Sequence, residues 1–428
     1  MVPTPTPTIT PTPTLTFTPT PERVVESQID APGSTNRIAY VNRDNQIFTV
    51  KPDGSDPVLI TPPRPPLIPG QPDFFYTWPG WSPDSQRIVF SVAISPTGGG
   101  APYLLMETTA DGSRANFPNL LFQNEPGTNT IVSGGPHYAL WSPDSKKVSA
   151  IVSTSQGQAI ILSDTVERST LPLVLGAPLY LGWSPDSEQI LIHAGESLLL
   201  FEAPFTSDGG ETLAGSSPRY LTPQFAPNDN RAAYVVDSED GATLNIQDAS
   251  GRERIEIVEV GALLFFRWSP SGEQLAMIKG DPLADAASIW LAAADGSSEE
   301  EILEGRYRMI MWSPDGSKLL LALVDEDDPA KLHWSVINVQ SREITELVSF
   351  TPSNEILQSH FFFDQYSSSH TFWSPDSQSL VFTGEFHDSS IPTAMGPIGR
   401  DAIWIVDVSG TQAPTLMAEG KTAFWSPD

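Results

Sequence analysis

At 428 residues the chain has the length of two or three ordinary domains, unless internal repeats let one fold absorb it. A formal net charge of −29 gives an acidic surface, which disfavours nucleic acid and anionic membrane as partners. With no cysteine there is neither a disulfide nor a thiolate metal site, and no apolar run is long enough to cross a bilayer as a helix.

Residues 1–35 are predicted to be a disordered Thr/Pro-rich linker, beginning with the alternation Pro3-Thr4-Pro5-Thr6-Pro7-Thr8. Such a segment cannot build a core and favours extended polyproline II, reaching about 60 Å over twenty residues. Thr/Pro tracts resemble the linkers that hold bacterial envelope domains away from a membrane anchor. Met1 opens directly into the tract, with no basic n-region or apolar h-region. The composition therefore predicts an extracytoplasmic protein with a signal or anchor upstream of this start. A cytoplasmic protein is the alternative.

Residues 36–428 carry short apolar runs. The first three are Arg37-Ile38-Ala39-Tyr40, Gln46-Ile47-Phe48-Thr49 and Pro57-Val58-Leu59-Ile60. A phrase then recurs: Trp-Ser-Pro-Asp begins at Trp81, Trp141, Trp183, Trp312, Trp373 and Trp425. A variant, Trp268-Ser269-Pro270-Ser271, and a decayed copy at Phe225 complete the series. Between Trp141 and Trp312 the spacings are 42, 42, 43 and 44 residues; the others are 60, 61 and 52. Each period holds four runs rich in β-branched and aromatic residues, with turn signals such as Asp111-Gly112 and Asp295-Gly296 between them. Four strands per period of this length describe one propeller blade.

The phrase itself reads as architecture. Proline presets φ for a tight turn, the Asp side chain can accept backbone N–H groups across it, and the indole fills space between blades. In Gly80-Trp81-Ser82-Pro83-Asp84 the fifth residue is not glycine, so the nucleophile-elbow pattern fails. No catalytic residue is assigned. These repeats resemble the propellers of TolB and of the N-terminal domains of prolyl-oligopeptidase-type proteins, over roughly residues 36–428. The resemblance implies a fold and leaves function open, because such propellers serve many tasks.

The predicted fold is therefore all-β, an eight-bladed β-propeller of four-stranded antiparallel blades. Seven blades would start at positions 81, 141, 183, 225, 268, 312 and 373, and an eighth would combine the three N-terminal strands with one C-terminal strand. That arrangement leaves no open sheet edge. Seven blades is the alternative, should the copy at Phe225 not form.

Insertions at 62–74, 123–137, 351–366 and 387–400, and a smaller one at 325–331, fall on the face opposite the Trp-Ser-Pro-Asp turns; the insertion at 204–210 enlarges the other face. Long loops on one face of a rigid scaffold are where binding usually resides. Aromatic clusters at 74–78 and 361–366 supply the candidate ligand-binding residues Phe75, Tyr76, Trp78, Phe361, Phe362 and Tyr366, with His387 and Arg400 beside them. The competing reading is that these aromatics cap the channel or tuck under their own loops. His360, His370, His387 and Asp364 show no short ligand pair, so no metal and no cofactor are predicted. Residues 325–328 lack the glycine and distal glutamate of an EF-hand and read as a solvated turn.

The expected function is a non-catalytic binding or scaffolding propeller, monomeric, contacting a protein, peptide or glycan through the loop-bearing face. A propeller hydrolase or lyase acting on polysaccharide is the alternative, using carboxylates or histidine at the channel mouth. A prolyl-peptidase regulatory half is a third idea, disfavoured because no hydrolase segment follows residue 428.

Overall fold

A computed structural model describes residues 36–63, 73–95, 103–124, 138–213, 221–238, 241–248, 254–261, 264–281, 286–386 and 401–427. The regular secondary structure of those residues is almost all β, with two short helices. Five separate four-stranded antiparallel sheets span 73–123, 138–175, 179–212, 224–260 and 264–304. A sixth sheet has ten strands, in the order Tyr307–Trp312, Lys318–Val324, Leu332–Asn338, Ile344–Pro352, Ser379–Phe386, Ala402–Asp407, Thr415–Trp425, Ile38–Asn42, Ile47–Val50 and Val58–Leu59.

The strand Thr415–Trp425 belongs to two neighbourhoods. Its first half pairs with Ala402–Asp407, in the register Ile405↔Thr415 to Ala402↔Glu419. Its second half pairs with the N-terminal strand, from Asn42↔Gly420 to Ile38↔Trp425. At the changeover a Cβ on Gly420 would lie 2.5 Å from the Val41 carbonyl oxygen, so only glycine lets the chain pass.

The repeat turns are built alike. Ser142 Oγ donates to Asp144 Oδ1 at 2.6 Å and accepts from Lys147 N at 2.9 Å. Asp144 Oδ1 also accepts from Lys146 N at 3.1 Å, as an Asx turn requires. The residue after the Asp turns left-handed, with φ of 55°, 60°, 63° and 60° at Ser85, Ser145, Ser187 and Ser377. Gly272 and Gly316 occupy the same place in two other turns. That serine reaches the preceding turn: Ser145 Oγ accepts from Asp84 N, and Ser187 Oγ from Asp144 N.

The tryptophans link successive sheets. Trp81, Trp141, Trp268, Trp312 and Trp373 donate Nε1 to the carbonyls of Phe424, Gly80, Gln224, Arg267 and Met311 at 3.2, 3.1, 3.4, 3.2 and 3.3 Å. Each acceptor is the residue just before the preceding repeat's aromatic. Trp183 reaches its neighbour through Ser149, whose hydroxyl donates to Leu140 O. Trp425 instead donates to Asn36 Oδ1 at 2.7 Å. All seven indoles are buried and fill space between sheets, and five of them also satisfy a main-chain carbonyl of the neighbouring sheet.

Two segments depart from the sequence expectation. The aromatic cluster at 74–78 is not loop but part of the strand Asp73–Trp81, paired with Arg87–Ser95. Residues 351–366 contain two helices, α1 (Asn354–Phe361) and α2 (Phe363–Tyr366). Ser353 caps α1, its Oγ accepting from Ile356 N and donating to Lys421 O. The spacing of Ile356, His360 and Phe363 supplies one inward face.

Candidate functional site

The helical segment lies in the space enclosed by the first strands of the sheets. Tyr366 packs against Trp78 with ring centroids 4.8 Å apart and against Tyr138 at 5.5 Å. Phe363 meets Phe265 at 5.1 Å, and His370 meets Phe424 at 4.3 Å. Polar bonds add to this packing. Tyr138 donates its hydroxyl to Gln365 O at 2.9 Å, and Thr222 donates to Asp364 Oδ2 at 2.9 Å. Arg267 donates to Asp364 O, Ser367 O and Ser368 Oγ at 3.3, 3.2 and 2.7 Å, capping the carbonyls that end α2. Strands from both halves of the chain thus hold one short plug.

Burial disfavours the charged forms of the plug's ionisable groups. His360 gives Nδ1–H to Ile356 O at 2.7 Å and accepts the Trp334 indole at Nε2, which fixes the neutral tautomer; burial pulls its pKa down to about 4. Burial pulls His370 down to about 3. It pushes the Asp364 carboxyl above the usual range, with the Thr222 hydroxyl and Arg267 opposing only in part. Among the described residues, no three His, Asp or Glu side chains converge as a metal site would require.

The candidate binding residues separate into three groups. Tyr76, Trp78 and Tyr366 are buried: Tyr76 packs edge-on against Phe90, and Trp78 and Tyr366 hold the plug. Phe75 is half-buried opposite Ala93. Phe361 ends α1, and Phe362, 47% exposed, sits between the helices. His387 and Arg400, with most of the insertions at 62–74, 123–137 and 387–400, lie outside the described residues.

The acidic turn at 325–328 is an Asx turn, with Asp325 Oδ1 accepting from Asp327 N and Asp328 N. Its other oxygen meets His333 Nε2 at 2.6 Å, and His333 Nδ1 lies 2.5 Å from Ser349 Oγ. Those turn bonds and the imidazole hold the Asp325 carboxyl below its ordinary range. The order Asp–His–Ser is that of a nucleophilic triad with the two ring nitrogens exchanged, and Ser349 stands exposed on an outer strand. Cross-strand pairing of His333 with Ser349 brings these groups together, which spacing alone does not reveal.

At the mouth beside the Trp-Ser-Pro-Asp turns the plug leaves a cavity of about 430 Å³. Trp141, Trp183, Trp268 and Trp312 line its walls, and Ser367, Ser368 and Arg267 also line it. Sequence reasoning overlooked Arg267. The available signal was positional: the residue before the repeat aromatic is Gly80, Leu140, Gly182, Gln224, Met311, Phe372 or Phe424 elsewhere, and charged only here.

No protein-family model matches the chain. An uncharacterised peptidase, YuxL, of Bacillus subtilis (strain 168) is 29% identical over 145 residues, 30% of this chain. The match spans only 20% of that relative's length. Solved prolyl endopeptidases are similar at 12% identity and a TM-score of 0.52, over 80% of this chain and 49% of theirs. The fold is a β-propeller. TolB from Acinetobacter baumannii is similar at 15% identity and a TM-score of 0.39, over 78% of this chain and 81% of its own. The propeller of the described residues is thus similar in fold to prolyl endopeptidases, one of the two groups that its repeats resemble.

Proposed function

We propose that this chain is a non-catalytic binding propeller of eight blades, monomeric and extracytoplasmic, that engages a protein, peptide or glycan through its loop-bearing face. The count rests on dividing the ten-stranded sheet twice. One blade is 307–352; a second runs from the bridge Trp373↔Leu380 to Glu419; a third joins 420–425 to the N-terminal strands. With five separate sheets this makes eight. The Thr/Pro segment would serve as a spacer to an anchor.

The observation that supports binding over catalysis is the plug. Where a propeller channel could present acid and base groups, His360 and His370 are buried in their neutral forms, and Asp364 is buried against Thr222 with its carboxyl raised above the usual range. The segment follows the strand Ile344–Pro352 and leaves Phe362 exposed, an aromatic suited to a partner. Screening the purified protein on glycan and peptide arrays tests this. A hit weakened at least tenfold, about 1.4 kcal/mol, by Phe362→Ala at unchanged melting temperature supports it. A hit indifferent to that change overturns the assignment of the face.

One observation favours the hydrolase alternative, the Asp325–His333–Ser349 array. Hydrolysis of polysaccharide or ester substrates that disappears in Ser349→Ala, with the fold intact, would replace the binding reading.

A further inference from the structure

We propose a second site, at the opposite mouth, where the tryptophan-lined cavity binds an organic carboxylate with an apolar body, its carboxylate on Arg267 and Ser368. At about 430 Å³ the cavity has the size of a small-molecule site. Three features of its lining define the ligand.

The first is charge. In a chain of net charge −29, the single ionisable residue lining this cavity, among the described residues, is an arginine. Its hydrogen bonds go to neutral oxygens, those of Asp364 O, Ser367 O and Ser368 Oγ. The nearby Asp364 carboxyl is turned to Thr222, and Arg267 bonds that residue through its main-chain oxygen. Burial lowers the Arg267 pKa only to about 10, so the guanidinium stays charged at neutral pH. An incoming carboxylate would supply the missing charge through short, charge-assisted bonds.

The second is accessibility. Ser368 is exposed, and its bond with Arg267 lies at the solvent side of the plug. The cationic end of the site is thus reachable.

The third is the nature of the walls. The indole N–H groups of Trp141, Trp268 and Trp312 are already donated to neighbouring strand carbonyls, and that of Trp183 to Ser149. They offer the cavity carbon surface only. Pro227 and Pro270 extend that surface and have no N–H to give. The Gln224 amide is bonded to Phe266 O at 2.7 Å. A sugar acid would leave its hydroxyls unpaired against such walls, whereas an aromatic or branched aliphatic body would not.

Titration calorimetry and indole fluorescence on the full chain would test this, using N-acetyl-phenylalanine against its neutral amide. The acid should bind at least tenfold more tightly than the amide. Arg267→Gln should abolish that preference, and Ser368→Ala should reduce it several-fold. Equal binding of acid and amide overturns the proposal, as does a preference that persists in folded Arg267→Gln, or no binding of any probe. If Arg267→Gln fails to fold, the acid–amide comparison on the natural protein and Ser368→Ala decide. A tripeptide ending in free phenylalanine that binds more tightly than the single residue would identify a peptide C-terminus as the source; no gain would identify a free small acid. Glucuronate binding as well as N-acetyl-phenylalanine would overturn the apolar-body assignment. The loop-face reading is untouched by these outcomes, since Phe362→Ala reports on it separately.

Discussion

Trp81 Nε1 donates to the carbonyl oxygen of Phe424 at 3.2 Å, across 343 positions of sequence. The same bond recurs between Trp141 and Gly80, and between Trp312 and Arg267, where the partners are 61 and 45 residues apart. A contact that is short-range elsewhere here joins the two ends of the repeat array. Removing it should act on the seam. Trp81→Phe keeps most of the ring but leaves a buried carbonyl unpaired, and should cost about 1–3 kcal/mol in denaturant melts. Trp141→Ala also opens a cavity and should cost about 3–5 kcal/mol. Deleting 420–428 removes the strand that pairs with Ile38–Asn42 and the burial of Phe424 and Trp425, and should destabilise more than either substitution. An unchanged melt after that deletion would falsify the seam.

Ser142 is fully buried and bonds Asp144 while accepting from Lys147 N. Ser142→Ala should therefore cost about 1–2 kcal/mol, because the buried N–H loses its partner. Ser313→Ala, with the same bonds to Asp315 and Lys318, should behave alike. Chemical denaturation of both variants checks this, and a difference between them of more than about 1 kcal/mol would break the equivalence of the turns.

Tyr366 and Phe362 sit four residues apart with opposite surroundings. Tyr366→Ala should destabilise by about 3–5 kcal/mol, since it empties the space between Trp78 and Tyr138. Phe362→Ala should shift stability by about 0.5 kcal/mol or less, being half exposed. Paired thermal melts decide; equal effects would contradict the plug.

Acid should loosen the plug before it breaks the turns. His360 and His370 have folded pKa values lowered to about 4 and about 3, below the unfolded value near 6.5. The unfolded state therefore binds more protons below pH 6.5, and stability, complete above that pH, falls as pH drops toward the folded values. The depressed carboxyls of Asp144, Asp186 and Asp315 act lower. Their stabilisation is present above the unfolded carboxyl pKa near 4 and is lost as pH falls through the folded values. Between pH 6 and 5 each of the two histidines should add roughly one proton of uptake on unfolding, Asp364, whose folded pKa is raised, should offset part of it, and His370→Asn should reduce the net uptake by roughly one. A slope in that window left unchanged by His370→Asn would show that His370 is not buried neutral.

Much of the architecture is written in local chemistry. Trp-Ser-Pro-Asp followed by Ser or Gly contains everything its turn needs: a preset φ, an Asx acceptor and a residue tolerant of the left-handed region. Four apolar runs per period then read as four strands, because each side chain's environment repeats with the period. Other features depend on groups distant in sequence. The cluster at 74–78 follows a Pro-rich stretch and reads as loop, yet pairing with Arg87–Ser95 makes it a strand. Residues 351–366 carry a Ser353 cap and an inward face, but an eight-residue helix is unstable alone; Trp78, Tyr138, Phe265, Trp334 and Phe424, from strands far apart in sequence, hold the segment in place. Arg267 beside Ser368, and Asp325 beside His333 and Ser349, are likewise products of register and ring geometry. The sequence by itself determined the repeat and its turns, which are local and periodic. Only the tertiary structure decided which aromatics became core and where charge was left facing a cavity, because burial and electrostatic pairing are set by neighbours far along the chain.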